Sequence, residues 1–476
     1  MLSTINSWPH NLQLSDTEET TVICEQPLRN LPGKRLVCRA TWNNRAVLVK
    51  LFLHPKSSRR HWLREKNGTK LLADNNLSTP TMLFAGTLND STPILIFKFV
   101  PMAATALEQW QKCSDDKQRL TLLKALVTTI ADQHYCGIWQ QDIHLDNFLI
   151  RDEKIYTIDG DGVRTANGTG PLVWGKKQAN LALFFAQLPP QYDHLLPAVL
   201  AHYLSQHNDH GEDNDTFANQ QKMILQLQLP QARRCRRKSY IDKAYRSCSE
   251  FIRHNSFRRV CIYRRDINQT LLQAIESNPD LVLEQATILK DGNSATVGAI
   301  NLDGHNLVIK RYNIKNFWHG LKRCWRPTRA WVSWGNAHRL LISNIDTPQA
   351  VAVIEKRWGP LRLGGYYICA AVDGPSADKY LLDPLANRDD KRIIKEKFLE
   401  LFRILHQLKI THGDCKASNF LIHNNRLYVI DLDAMNECRW QPLFIRGFIS
   451  DRARFLRNWD SDPELQHWFD KHLIGS

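Results

Sequence analysis

The strongest constraint on this chain is a pattern that occurs twice. The segments HYCGIWQQDIHLDNFLI (134–150) and HQLKITHGDCKASNFLI (406–422) can be laid over each other. The same 272 residues separate Asp142 from Asp414, Asn147 from Asn419, and Asp159 from Asp431. Three equal offsets mark an internal repeat of a whole folding unit. A chain of 476 residues accommodates one, since roughly 150 residues make an ordinary domain. The expected division is a first domain over 1–230, a basic helical segment over 231–280, and a second domain over 281–476.

The local patterns agree between the copies. Leu120, Leu123, Val127 and Ile130 precede the first segment, and Ile394, Phe398, Leu401 and Leu405 precede the second, at the three-to-four spacing of a helix with one buried face. After each segment a β-prone run, a polar turn (RDE at 151–153, HNN at 423–425) and a second run (KIYTID at 154–159, RLYVID at 426–431) predict a hairpin. Earlier in each half a strand-like run carries a lysine among apolar neighbours: Lys50 in AVLVKLF and Lys310 in NLVIKRY. A lysine so placed requires an anionic partner.

An Asp followed five residues later by Asn, and seventeen residues after the first by a second Asp, has the spacing of a kinase catalytic loop and its metal-binding aspartate. Phosphoryl transfer needs positioning, cations around the moving phosphoryl group, and magnesium held by carboxylate and amide oxygens. On this reading Asp142 and Asp414 accept the proton of the attacking hydroxyl. Asn147, Asn419, Asp159 and Asp431 hold Mg2+, and Lys50 and Lys310 grip the phosphates of ATP.

The accessory parts are less regular. LKDGNSATV (289–297), with Gly292, reads as a small-residue hairpin able to cover phosphates, and NLPGKRLV (30–37) offers one glycine and two cations. A plain β-turn is the alternative reading of each. Glu65, on a predicted helix, is the expected carboxylate partner of Lys50, whereas the corresponding register in the second half holds Trp334. The metal aspartates continue as DGD (159–161) and DLD (431–433), so Asp161 and Asp433 either add a metal ligand or cap a turn. Gln140 and Gln141 stand where kinases carry His and Arg or Gly.

Hydrophobic residues at 43% and charged residues at 23% are globular proportions. No run of about 18 apolar residues predicts a membrane span, and the N-terminus lacks a signal-peptide pattern. The eleven cysteines are scattered without CxxC pairs, as in a reduced cytoplasmic protein. The net charge of +15 favours anionic partners. It concentrates in RRCRRK (233–238) and in the stretch from Lys315 to Trp334, where Lys322, Arg323, Arg326 and Arg329 mix with Phe317, Trp318, Trp325, Trp331 and Trp334. Cations beside aromatics suit a membrane surface, and equally a solvated helix whose tryptophans pack inward. No zinc finger or aromatic RNP strand supports nucleic acid as a partner.

The sequence resembles the lipopolysaccharide core kinases, which phosphorylate Kdo or heptose sugars. The resemblance rests on HGDCKASNFLI (412–422) with YVIDLDA, QDIHLDNFLI (141–150) with YTIDGD, STP (78–80), DTP (346–348) and DRARFLRNW (451–459). The second copy is the closer match. The resemblance implies an α+β fold of two tandem bilobal protein kinase-like domains, each with an antiparallel β N-lobe and a helical C-lobe. It implies an ATP- and Mg2+-dependent enzyme, cytoplasmic or peripheral at the inner leaflet of the inner membrane, acting on a lipopolysaccharide core or lipid A precursor. Lys310, Asp414, Asn419 and Asp431 are its expected principal site. A protein or small-molecule kinase, or a pseudokinase scaffold, remains open on the residues alone.

Overall fold

The computed structural model describes residues 8–15, 21–166, 170–207, 214–313 and 324–474. Lys315, Phe317, Trp318, Lys322 and Arg323 of the basic–aromatic stretch lie outside the described residues. The chain is a mixed α+β structure built on antiparallel sheets. It divides into two compact units, residues 1–188 with 192–233 and residues 189–191 with 234–476. The division falls inside the helix Asn214–Ala244.

The first unit begins with six antiparallel strands, β1 (His10–Gln13), β2 (Thr21–Leu31), β3 (Arg35–Trp42), β4 (Arg45–Phe52), β5 (Met82–Thr87) and β6 (Pro93–Lys98), in the order β1-β2-β3-β4-β6-β5. Period-two alternation explains β4: Val47, Val49 and Leu51 are buried on one face, so Lys50 points to the other. Helix α1 (Ser58–Asp74) buries Glu65, Gly68, Thr69 and Leu72, one face at helical spacing. Gly68 is required there, because a Cβ would sit 2.0 Å from the carbonyl oxygen of Gly160. Helix α2 (Asp116–Tyr135), capped by the Asp115 side chain on the Gln118 amide, buries Leu123, Val127 and Ile130 as predicted, while Leu120 is only partly buried. Strands β7 (Phe148–Arg151) and β8 (Lys154–Thr157) form the predicted hairpin. Its turn residues Asp152 and Glu153 both have positive φ, as a two-residue turn matched to strand twist requires. Helix α3 (Trp174–Phe185) follows.

The second unit has a seven-stranded antiparallel sheet. Its strands are β9 (Phe251–Asn255), β10 (Arg259–Arg264), β11 (Thr287–Gly292), β12 (Ala295–Leu302), β13 (His305–Tyr312), β14 (Ala350–Trp358) and β15 (Leu361–Ala370), in the order β9-β10-β14-β15-β13-β12-β11. The segment 231–280, read from sequence as a basic connector, contributes β9 and β10 to this sheet. Val260 and Ile262 of β10 enter one core cluster, and Cys261 and Tyr263 enter the other. On β13, Leu307 and Ile309 are buried in the second of these clusters, which leaves Lys310 on the opposite face, as for Lys50. Helix α4 (Arg329–Ile342) packs against that face.

Helix α5 (Arg388–Leu408) buries Ile394, Phe398, Leu401 and Leu405, again as predicted. Phe398 is fully buried among Phe420, Phe455 and Phe469, and each such side chain contributes about 1.5–3 kcal/mol by burial. The hairpin of β16 (Phe420–His423) and β17 (Arg426–Val429) repeats the first unit's, with Asn424 and Asn425 at positive φ. Both STP and DTP lie against these hairpins: Thr157 N donates to Ser78 O, and Val429 N to Asp346 O. Helix α6 (Gln441–Leu456) completes the elements that matter to the site. Among the described residues, no helix is long and apolar enough to cross a membrane.

Candidate active site

In the first unit, the ammonium of Lys50 bonds the carboxylate of Glu65, which is almost fully buried. Glu65 also accepts from the amides of Gly160 and Asp161, at 3.3 and 3.2 Å, so one helix carboxylate ties the strand lysine to the DGD turn. Arg35, from the turn predicted to hold two cations, lies 3.6 Å from Asp159 and 3.5 Å from Asp161. His61 approaches Asp161 at 2.6 Å. Asp159 is itself in the left-handed region, φ 66°, a costly conformation for a non-glycine residue. Burial works to raise its pKa, but Lys50, the Glu65 contact and Arg35 outweigh it and hold the carboxyl below the usual range.

The second unit uses the same parts with different partners. Asp431 is also left-handed, φ 59°. Lys310 bonds Asp431 directly and stands 3.7 Å from Asp433. Arg329, at the start of α4, reaches Asp433 at 2.7 Å and the carbonyl of Ser294 at 3.4 Å. It thus joins the β11–β12 hairpin turn to the DLD segment. Trp334 does not face the lysine: its indole is buried and donates to Ala244 O. The α4 residue touching the DLD turn is Asn336, whose amide donates to Leu432 O and Met435 O. Burial tends to raise Asp431 too, yet Lys310 pulls it below the usual range, while burial keeps Asp433 above it.

The residues expected from sequence to form the two loops also come together. The Asn147 amide nitrogen donates to Asp142 O at 2.6 Å, and that of Asn419 to Asp414 O at 2.8 Å. Asp414 is bonded by Arg454 of α6 and lies 3.4 Å from Lys416. Among the described residues Asp142 has no such ion pair. The buried Asp451, also on α6, accepts from the backbone amides of His412 and Gly413 at 2.6 and 2.9 Å. The His412 ring contacts Ile430 O. Burial lowers the His412 pKa and raises that of Asp451.

In the first unit Gln140 takes the histidine's position and bonds Gln133, which donates to Thr157. Asn180 of α3 donates to the carbonyl of Gln140, so polarity at the base of that loop is reversed. Arg35, Arg329, Arg454, Asp451 and Lys416 were not read as site residues from sequence. The signals lay in the KR pair of 30–37, in the basic stretch and in DRARFLRNW. Gly292 ends β11 and is paired with Ala295.

The donor set suits a hard cation. Spending the Asn147 and Asn419 amide nitrogens on loop carbonyls leaves the amide oxygens as the coordinating atoms. Asp159 Oδ1 is buried and accepts no hydrogen bond. Among the described residues no cluster of three or more His, Cys, Asp or Glu could hold a metal by itself. Magnesium characteristically takes one or two carboxylates and completes its octahedron with phosphate and water oxygens. Asn419 with Asp431, and Asn147 with Asp159, would hold it in that manner.

Residues 280–442 match the family model described as Lipopolysaccharide kinase (Kdo/WaaP) family. This range contains Lys310, Asp414, Asn419 and Asp431. No curated protein matches the chain.

Proposed function

From the match of residues 280–442 to the lipopolysaccharide kinase (Kdo/WaaP) family, a phosphotransferase family, we propose that the second unit transfers the γ-phosphoryl group of ATP to a Kdo or heptose hydroxyl of the lipopolysaccharide inner core. The observation that carries this reading is the convergence of Lys310, Asp431 and Asn419 with an Asp414 that Arg454 fixes in place. Asp414 accepts the proton of the acceptor hydroxyl as its oxygen bonds to the γ-phosphorus and ADP leaves. Lys310 exchanges Asp431 for the α- and β-phosphates. Asn419 and Asp431 would hold a divalent cation here, which would supply charge neutralisation at the transferred phosphoryl group. Gly292 and the β11–β12 turn, tethered by Arg329, form the cover over the nucleotide.

The test is mass spectrometry of core oligosaccharide from a strain lacking the gene, complemented with wild type or with Asp414→Asn. The expected result is loss of one phosphate, restored by wild type alone. An unchanged phosphate count in the deletion strain overturns the sugar-kinase reading.

The first unit supports a second reading, that of a kinase-like domain that does not itself turn over. Among the described residues Asp142 has none of the ion pairs that flank Asp414, Gln140 stands in register with His412, and Asn180 donates to this loop where Asp451 accepts from the other. Together the two readings make the chain a tandem of kinase-like domains.

A further inference from the structure

Away from the phosphoryl-transfer residues, the second unit gathers three guanidinium groups around one ring. Arg253, Arg357 and Arg362 lie 5.7, 5.7 and 5.9 Å from the centroid of Trp331. The register of the sheet forces part of this, because Arg357 of β14 is directly opposite Arg362 of β15. Like charges directly opposite in an antiparallel pair repel.

The compensation is incomplete. Fully buried Glu355 bonds Arg357 at 2.5 Å and lies 3.6 Å from Arg362. Among the described residues it is the one carboxylate ion-paired with any of the three. Arg253 is held by neutral groups, the carbonyl of Tyr245 and the side chain of Asn255. One N–H-bearing nitrogen of Arg362, Nη1, is buried without a hydrogen bond. Burial and the nearby Arg357 charge lower the Arg253 pKa, the sign expected of a cation short of anions.

The rim is apolar and exposed. Trp325, Phe257 and Trp358 are 71, 64 and 63% exposed, and Leu363 is also exposed. Phe257 and Trp358 make an edge-to-face pair at 6.3 Å. Trp325 follows Cys324, whose carbonyl accepts from the Arg362 amide at 2.9 Å. Arg258 and Arg326 stand exposed beside these rings. Large exposed aromatics are costly in water and favourable at the headgroup level of a bilayer, where cations meet lipid phosphate.

We propose that this end of the seven-stranded sheet docks on an anionic lipid surface, with a headgroup phosphate taken by Arg253, Arg357 and Arg362 while Trp325, Trp358 and Phe257 enter the interfacial layer. Charge complementarity selects the partner, since a neutral apolar surface would leave the arginine surplus unmatched. The inference goes beyond phosphoryl transfer, and its assay needs no turnover, so its failure and that of the kinase reading are distinguishable.

The experiment is co-sedimentation of the full chain with vesicles of phosphatidylcholine alone or mixed with phosphatidylglycerol. Binding is expected to be at least about tenfold tighter to the mixed vesicles and to weaken on the order of fivefold for each arginine replaced in Arg357→Gln and Arg362→Gln. These variants disturb the buried Glu355, so Phe257→Ser with Trp358→Ser, which leaves every charge in place, provides the second arm. It should weaken vesicle binding while leaving the thermal unfolding midpoint unchanged. Equal binding to both vesicle types, or wild-type binding by the aromatic variant, overturns the proposal. So does preferential retention of glycerol phosphate or a DNA duplex over anionic vesicles.

Discussion

Lys310 on β13 is bonded directly to Asp431, 121 residues further along the chain. In the first unit the equivalent lysine bonds a helix glutamate instead, and its aspartate keeps a buried oxygen without a hydrogen bond. If Lys310 grips phosphates as proposed, it must first release Asp431, and nucleotide and Asp431 would then compete for one ammonium.

Replacement of that lysine separates charge from packing. Lys310→Met keeps the side-chain length and removes the cation that would meet the phosphates. Phosphoryl transfer should fall by about 10²–10³-fold, with a weaker apparent affinity for ATP. Single-turnover kinetics with labelled ATP, alongside equilibrium nucleotide binding, measure both.

The two loop aspartates should differ. Asp414→Asn is expected to cost about 10²–10⁴-fold in the transfer rate, the ordinary contribution of a general base. Asp142→Asn, at a residue with no ion pair among the described residues, should leave the same reaction within a few-fold. A loss in Asp142→Asn as large as in Asp414→Asn, in folded protein, would move catalysis to both units.

Asp451 carries the backbone of the second loop. In Asp451→Ala two amide donors, those of His412 and Gly413, lose their acceptor. The expected cost is about 2–4 kcal/mol of stability, with loss of activity through a misplaced Asp414. Asp451→Asn retains one acceptor oxygen and should fall between the variant and wild type in a denaturant titration.

His338 supplies a pH term. Its ring is fully buried against Phe251 and Trp334, neither nitrogen has a hydrogen bond, and burial lowers its pKa to about 3. A histidine whose folded pKa is depressed binds its proton more readily when unfolded. Stability from this group is therefore complete above pH 6.5 and is lost as pH falls from 6.5 towards 3. At pH 5 the loss is about 2 kcal/mol. His338→Phe preserves a ring at this site and should flatten that part of the stability profile, read by thermal unfolding between pH 7 and pH 5.

Sequence alone determined the parts whose cause is local. The hairpins follow from turn residues that tolerate positive φ, helices α2 and α5 from spacing, and the lysine faces from two-residue alternation. The repeated Asp, Asn and Asp positions could be read because the turns that hold them have fixed lengths. Tertiary structure decided which charge meets which. Lys310 finds Asp431, Trp334 turns to Ala244 and leaves Asn336 at the DLD segment, and Arg454 and Asp451 arrive from a helix 37 to 40 residues beyond Asp414. Strands β9 and β10 joined a sheet instead of remaining a connector because their alternate faces close two separate cores. Such contacts depend on where distant elements pack, and no local period encodes that distance.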